Sequence, residues 1–154
     1  MTHENNVLVS SDANCSGTAL VLLNASHISI PVSIFFNNAC GSLEIISKYL
    51  KDCLHLKFHE IASLLNRDDR TIWGSYQAAK HHPCKSDLTA LTIPLSIFRN
   101  RAFSVLEQIV GYLKDHHQLK FSQIARLIAR DDRTVWTTYH RLKKKEKTLN
   151  GQPK

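Results

Sequence analysis

The residues best equipped for chemistry in this chain occur in two near-identical runs, Arg67-Asp68-Asp69-Arg70-Thr71 followed by Trp73, and Arg130-Asp131-Asp132-Arg133-Thr134 followed by Trp136. A guanidinium carries a planar fork of donors that meets a carboxylate, a phosphate or the O6/N7 edge of guanine with two bonds at once. An aspartate just ahead of a helical pattern accepts from the first free backbone amides and sits in the positive end of the helix dipole. Such runs suit recognition of an anion or a polar edge from the start of a helix. They do not suit catalysis, because no nucleophile–base pair, phosphate-binding glycine loop or paired-carboxylate site accompanies them, and no enzyme is expected. The same charges can instead close on themselves as a local Arg–Asp lattice, which would leave the arginines structural.

The runs belong to a longer duplication. Ile30-Pro31 through Lys80 aligns without gaps on Ile93-Pro94 through Lys143, an offset of 63 residues (93 − 30), with roughly half the positions identical. A repeat of this period is itself domain-sized. The expected organisation is a mobile tail over residues 1–18, a first module over 19–82, a linker over 83–92, a second module over 93–147 and a disordered tail over 148–154. Modules this small have thin cores, so contact between the copies, or pairing of protomers as a homodimer, is expected to supplement them.

Each copy opens on an IPxSIF arm, Ile30 to Phe35 and Ile93 to Phe98. Its alternation and proline fit an extended edge segment or a first helical turn. If extended, the two arms can pair as a short β-ribbon that joins the copies about a pseudo-twofold axis; otherwise each packs as a short helix on its own module. Ala19 to Leu23 could add a strand or a helical turn, and its length does not separate the two.

Helical periodicity follows over Ser42 to about Leu54 and Ser104 to about His116. The apolar stripes are Leu43, Ile46, Leu50 and Leu54 in the first, and Leu106, Ile109, Val110 and Leu113 in the second. Asp52 and Asp115 near the ends oppose the dipole and signal that the helices stop. Next come Phe58, Ile61, Ala62 and Leu65, repeated as Phe121, Ile124, Ala125 and Ile128, where the alanine permits close helix crossing. Asn66 and Ala129 fall where a positive φ is needed, and asparagine tolerates it better. Final helices are expected from Asp69 to about Ala79 and Asp132 to about Lys143, capped by Asp68 and Asp131. Ile72, Tyr76, Val135 and Tyr139 keep the buried spacing. Trp73 and Trp136 fit either a bulky core wedge or an exposed ring that would meet sugar or a thymine methyl, and core or inter-module packing is the preferred assignment on account of their size.

The order phenylalanine, isoleucine-alanine, leucine, capping residue, Arg-Thr-Ile/Val resembles the helix-turn-helix of sigma-factor region four and of LuxR-type regulators. It covers about 25 residues per copy, with Asp-Asp where the family pattern has a capping serine, and without the usual turn glycine. The resemblance implies a mainly α protein of two tandem helix-turn-helix modules, with the final helices entering the DNA major groove. It implies sequence-specific binding of double-stranded DNA in transcription regulation. The implied contacts are Arg70, Thr71 and Gln77 in the first copy and Arg133, Thr134, Thr137 and His140 in the second. Arg70 and Arg133 are the guanine-reading candidates.

Charge separates the copies. The chain carries a net +7; residues 30–82 hold six basic and five acidic side chains, whereas residues 93–154 hold thirteen basic and five acidic. Arg126, Arg130, Arg141, Lys143, Lys144 and Lys145 can therefore extend the second copy over phosphates, making it the dominant contact. The nearly neutral first copy suits a protein partner, such as RNA polymerase. An assembly module and a non-specific architectural DNA-binding protein are the alternative functions.

Cys15, Cys40, Cys53 and Cys84 form no CxxC pair, and His81-His82 and His116-His117 lack the spacing of a structural zinc site, so no metal and no cofactor are expected. With no basic n-region and no long apolar run, the expected location is cytoplasmic, without membrane contact.

Overall fold

The computed structural model describes residues 28–36, 39–83 and 91–151. The expectations for residues 1–18 and Ala19–Leu23, for 84–90 of the linker and for the last residues of the C-terminal tail lie outside the described residues.

The protein is mainly helical, and its described residues form one small two-stranded sheet. The first half runs β1 (Ser29–Pro31), a 3-10 turn (Val32–Phe36), α1 (Ser42–Asp52), α2 (Phe58–Leu65) and α3 (Asp69–Ala79). The second runs β2 (Thr92–Pro94), a 3-10 turn (Leu95–Arg99), α4 (Val105–Asp115), α5 (Phe121–Leu127) and α6 (Asp132–Leu149). Each arm is thus divided: its Ile-Pro is extended, and the residues after the proline coil.

β1 and β2 pair antiparallel with Ile30 opposite Ile93, Ser29 opposite Pro94 and Pro31 opposite Thr92. Ile30 and Ile93 are equivalent in the repeat, so the pairing is centred on a residue and its own copy. The flanking bonds obey the same symmetry, Val32 N–H to the Leu91 carbonyl at 3.0 Å and Leu95 N–H to the Ile28 carbonyl at 2.9 Å.

The arms are exchanged between the halves. The 3-10 turn of the second half packs on α2 of the first, and that of the first half packs on α5 of the second. Asn66 Nδ2 donates to the Arg99 carbonyl at 3.2 Å, tying the turn after α2 to the second arm. Arg130 Nη2 donates to the Cys40 carbonyl at 3.3 Å in the opposite sense. Val32, Ile34, Phe35, Leu95 and Phe98 are consequently buried in a single apolar cluster with Ile61, Leu65, Ile124 and Ile128. Each half's core is completed by the other's arm.

The turns between helices repeat as well. Arg67 N–H reaches the Ala62 carbonyl at 2.9 Å, and Arg130 N–H reaches the Ala125 carbonyl at 2.9 Å, closing both helix ends with the long bond that a left-handed residue permits. That residue is Asn66 (φ 52°) in one and Ala129 (φ 48°) in the other, and His55 and Gln118 form a second equivalent left-handed pair. Alanine lacks the local hydrogen bonding that eases asparagine into this region, so the second turn carries the greater strain.

Two helix assignments are corrected. Leu54 lies beyond the end of α1 and is exposed; Leu43 and Leu106 are half-buried, and the buried stripes are Ile45, Ile46 and Leu50 and Val105, Ile109, Val110 and Leu113. α6 continues past Lys143 to Leu149, because residues 143–149 contain no breaker and Lys143 pairs with Glu146 one turn on. It stops before Gly151, which adopts φ +64°.

Candidate nucleic-acid interface

Both final helices start from an aspartate with extended backbone, but the caps differ. Asp68 accepts from Thr71 N–H at 2.9 Å and from Thr71 Oγ1 at 2.6 Å, and these bonds, the hydroxyl's first, hold its carboxyl below the usual aspartate value. Thr71 is thereby engaged with the cap. Asp131 occupies the same position and makes no side-chain cap bond, leaving Thr134 exposed and outside any such pairing. The Arg–Asp lattice does not form: the ion pairs among the described residues include none between Arg67, Arg70, Arg130 or Arg133 and the four adjacent aspartates.

The buried side of α3 and α6 is defined by Ile72 and Val135, both about fully buried, with Ala79 and Leu142 two turns on. Tyr76 and Tyr139 lie at the edge. Their rings pack on Phe58 and Phe121 at 5.4 and 5.5 Å between centroids, and their hydroxyls donate to Asp52 at 3.1 Å and Asp115 at 2.7 Å. The acids at the ends of α1 and α4 are thus anchors for the final helices.

Trp73 and Trp136 are not core residues. They are 52% and 50% exposed, which overturns their assignment to packing. Each follows the buried Ile72 or Val135, and one residue along a helix turns about 100° away from the buried side. Phase outweighs size here. On α6, Arg133, Trp136, Thr137, His140 and Lys144 recur at spacings of three and four and so share the outward face, with Arg141 beside it. Trp136 stacks obliquely on His140 at 4.0 Å, and Thr137 Oγ1 donates back to the Arg133 carbonyl at 2.8 Å. The face presented by α3, with Arg70, Trp73, Gly74 and the half-buried Gln77, has no comparable basic extension.

Not every predicted basic residue is free. Lys143 donates to Asp115 Oδ2 at 2.8 Å and Glu146 Oε2 at 3.0 Å. Burial opposes its charge, but these carboxylates outweigh it and hold the ammonium well above the usual lysine range. Lys145 donates to Glu107 Oε2 at 2.8 Å, and Arg130 is engaged with Cys40. Arg126, Arg133, Arg141 and Lys144 are exposed. Local charge counting missed these engagements because the partners lie 28, 38 and 90 residues away.

The Glu107 anchor gives a pH prediction. Its carboxylate is buried; burial raises its pKa, but bonds from Lys145 and the Ser104 amide prevail and depress it. A carboxyl depressed by folding stabilises the protein above its unfolded value, about 4.3 for glutamate, and loses that contribution as pH falls through the lower folded value. The urea midpoint is therefore expected to drop as pH is lowered below about 4.3, with a shallower drop in Glu107→Gln.

Among the described residues, no three His, Cys, Asp or Glu side chains gather as a metal site, and no helix is long and apolar enough to cross a membrane. Compared with protein-family models, curated proteins and solved structures, the chain has no match in any of the three.

Proposed function

We propose that the protein binds double-stranded DNA through tandem helix-turn-helix modules, α2–α3 and α5–α6, as a sequence-specific transcription regulator. The observation that carries this reading is the outward face of α6, where an unpaired arginine in the first turn leads into an exposed Trp–His pair and further basic residues. In the major groove, Arg133 would meet guanine O6 and N7, while Trp136 and His140 would pack on sugar or a thymine methyl. Arg126, Arg141 and Lys144 would contact phosphates. Lys143 and Lys145 would act indirectly, by holding α6 against α4. Because the arms relate the halves by a pseudo-twofold axis, the matching site would be an imperfect inverted repeat with a stronger half for the second module.

The test is binding to random and genomic duplexes across a salt series. Arg133→Ala should cost about 1–3 kcal/mol on a preferred sequence and relax discrimination there, whereas Lys144→Ala should weaken all sequences alike and reduce the salt slope by about one. No binding at low salt overturns the proposal. Equal binding of every sequence would favour a non-specific architectural role.

A second reading concerns the first module alone. Its exposed Trp73 stands beside Gly74 on a weakly charged surface, a composition closer to a protein-contact hot spot than to a phosphate-binding surface. DNA affinity that survives Trp73→Ala but falls in Trp136→Ala would divide the roles in this way.

A further inference from the structure

We infer that the second half contains a binding site for a small arylalkylamine, at a position where the first half is closed. A cavity of about 220 Å³ lies between α4, α6 and the second arm, with Ile97, Phe103, Tyr112 and Leu142 as its apolar wall. The equivalent place in the first half, bounded by Ile34, Cys40 and Ala79, measures only about 10 Å³. The difference traces to Lys48, whose side chain has no counterpart in the second half. In the first, Lys48 on α1 lies along the site and reaches Asp52 at 2.7 Å. In the second, the matching residue is Gly111, and the matching acid, Asp115, takes its ammonium from Lys143 on α6 instead. Lys143 has its counterpart in Lys80, so what the second half lacks is the side chain of Lys48; Leu142 covers the glycine, and the rest of that space stays open.

The opened site also gains a polar group. Ile45 of the first half is replaced by Gln108, which lines the cavity and is 7% exposed. Its Nε2 donates to the Asn100 carbonyl, while its buried Oε1 has no hydrogen-bond partner. A buried acceptor of this kind calls for an N–H donor. The nearby charge selects the donor's sign: Asp115 and Glu146 both line the cavity and share the single ammonium of Lys143, leaving an excess negative charge that favours a cation. The volume is below that of drug-sized pockets, about 300–1,000 Å³, and suits a one-ring body. The ligand class is thus an aromatic ring for the apolar wall with a short arm ending in an ammonium at Gln108 Oε1. The site does not depend on the nucleic-acid reading, although Leu142 and Glu146 belong to the helix proposed to carry it.

Phenethylamine is the probe, titrated into the full chain by calorimetry, with phenylacetate as a control of similar shape and opposite charge. Saturable binding of the amine, weakened at least about tenfold in Gln108→Ile, is expected, since a hydrogen bond to a charged donor is lost. The double variant Gly111→Lys/Leu142→Ala restores the first-half pair and should abolish binding while its helical circular dichroism is kept. Absence of saturable amine binding up to about 10 mM overturns the inference. So does equal binding of phenylacetate, or unchanged affinity in Gln108→Ile.

Discussion

Ile30→Ala and Ile93→Ala should each destabilise the whole protein by about 2–5 kcal/mol, the range for emptying a fully buried aliphatic site. Both side chains are 0% exposed, and they face each other across the only strand pair of the described residues. The void would open at the pseudo-twofold axis, among the exchanged arms that complete both halves. Damage should therefore not stay in the half that carries the substitution. Trp73 and Trp136 provide one fluorescent reporter per half, so Trp73→Phe and Trp136→Phe backgrounds can follow each half separately in urea. The midpoints of the two reporters should coincide and move together for either isoleucine. Because the pair is in contact, the double variant should cost less than the sum of the singles. A shift seen only by the reporter in the substituted half would mean that the halves fold independently.

The parts of this fold legible in the sequence are those decided within a turn or two of chain. The predominance of helix follows from apolar spacing, and the αL turns at Asn66 and Ala129 and the cap at Asp68 from local residue chemistry. What escaped was decided across the fold. Periodicity gives a helix its inner side but not its partner, so nothing in IPxSIF says that each arm packs on the opposite half's scaffold helix. Charge counts treat Lys143, Lys144 and Lys145 alike, yet two of them are paired with acids on α4 or one turn away and one faces solvent. The tryptophans show a different failure. Their phase next to Ile72 and Val135 already placed them outside, and a size-based expectation overrode it.

Those pairings also change what the second half's basic excess means. Lys143 and Lys145 brace α6 against α4, whereas in the first half Lys48 pairs with Asp52 of its own helix and reaches across to the Lys80 carbonyl just past α3 at 3.1 Å. The duplication has kept the tyrosine-to-acid anchor and redistributed the lysines around it. The outward charge that distinguishes α6 is therefore carried by fewer residues, chiefly Arg141, Lys144 and Lys147, since Arg133 has its match in the exposed Arg70.

The redistribution can be tested through Gly111 and Leu142, where each single substitution should be harmful but the second should partly offset the first instead of adding to it. A Cβ added at Gly111 would fall 2.4 Å from Leu142 Cδ2, and Leu142 is itself buried, so Gly111→Ala forces repacking at about 1–3 kcal/mol. That exceeds the roughly 1 kcal/mol that alanine gains over glycine inside a helix. Leu142→Ala alone removes a buried side chain and should cost about 2–5 kcal/mol. In the first half, however, the same two positions hold Lys48 and Ala79, a long residue opposite a small one. With Leu142 already cut back to alanine, the obstruction at position 111 is gone, and Gly111→Ala should then stabilise by about 1 kcal/mol through helix propensity. The sign of one substitution is thus expected to reverse with the identity of the other, a coupling that a denaturation double-mutant cycle reads directly. If Gly111→Ala destabilises equally in both backgrounds, the obstruction is not Leu142, and the glycine is required by some other contact of α4.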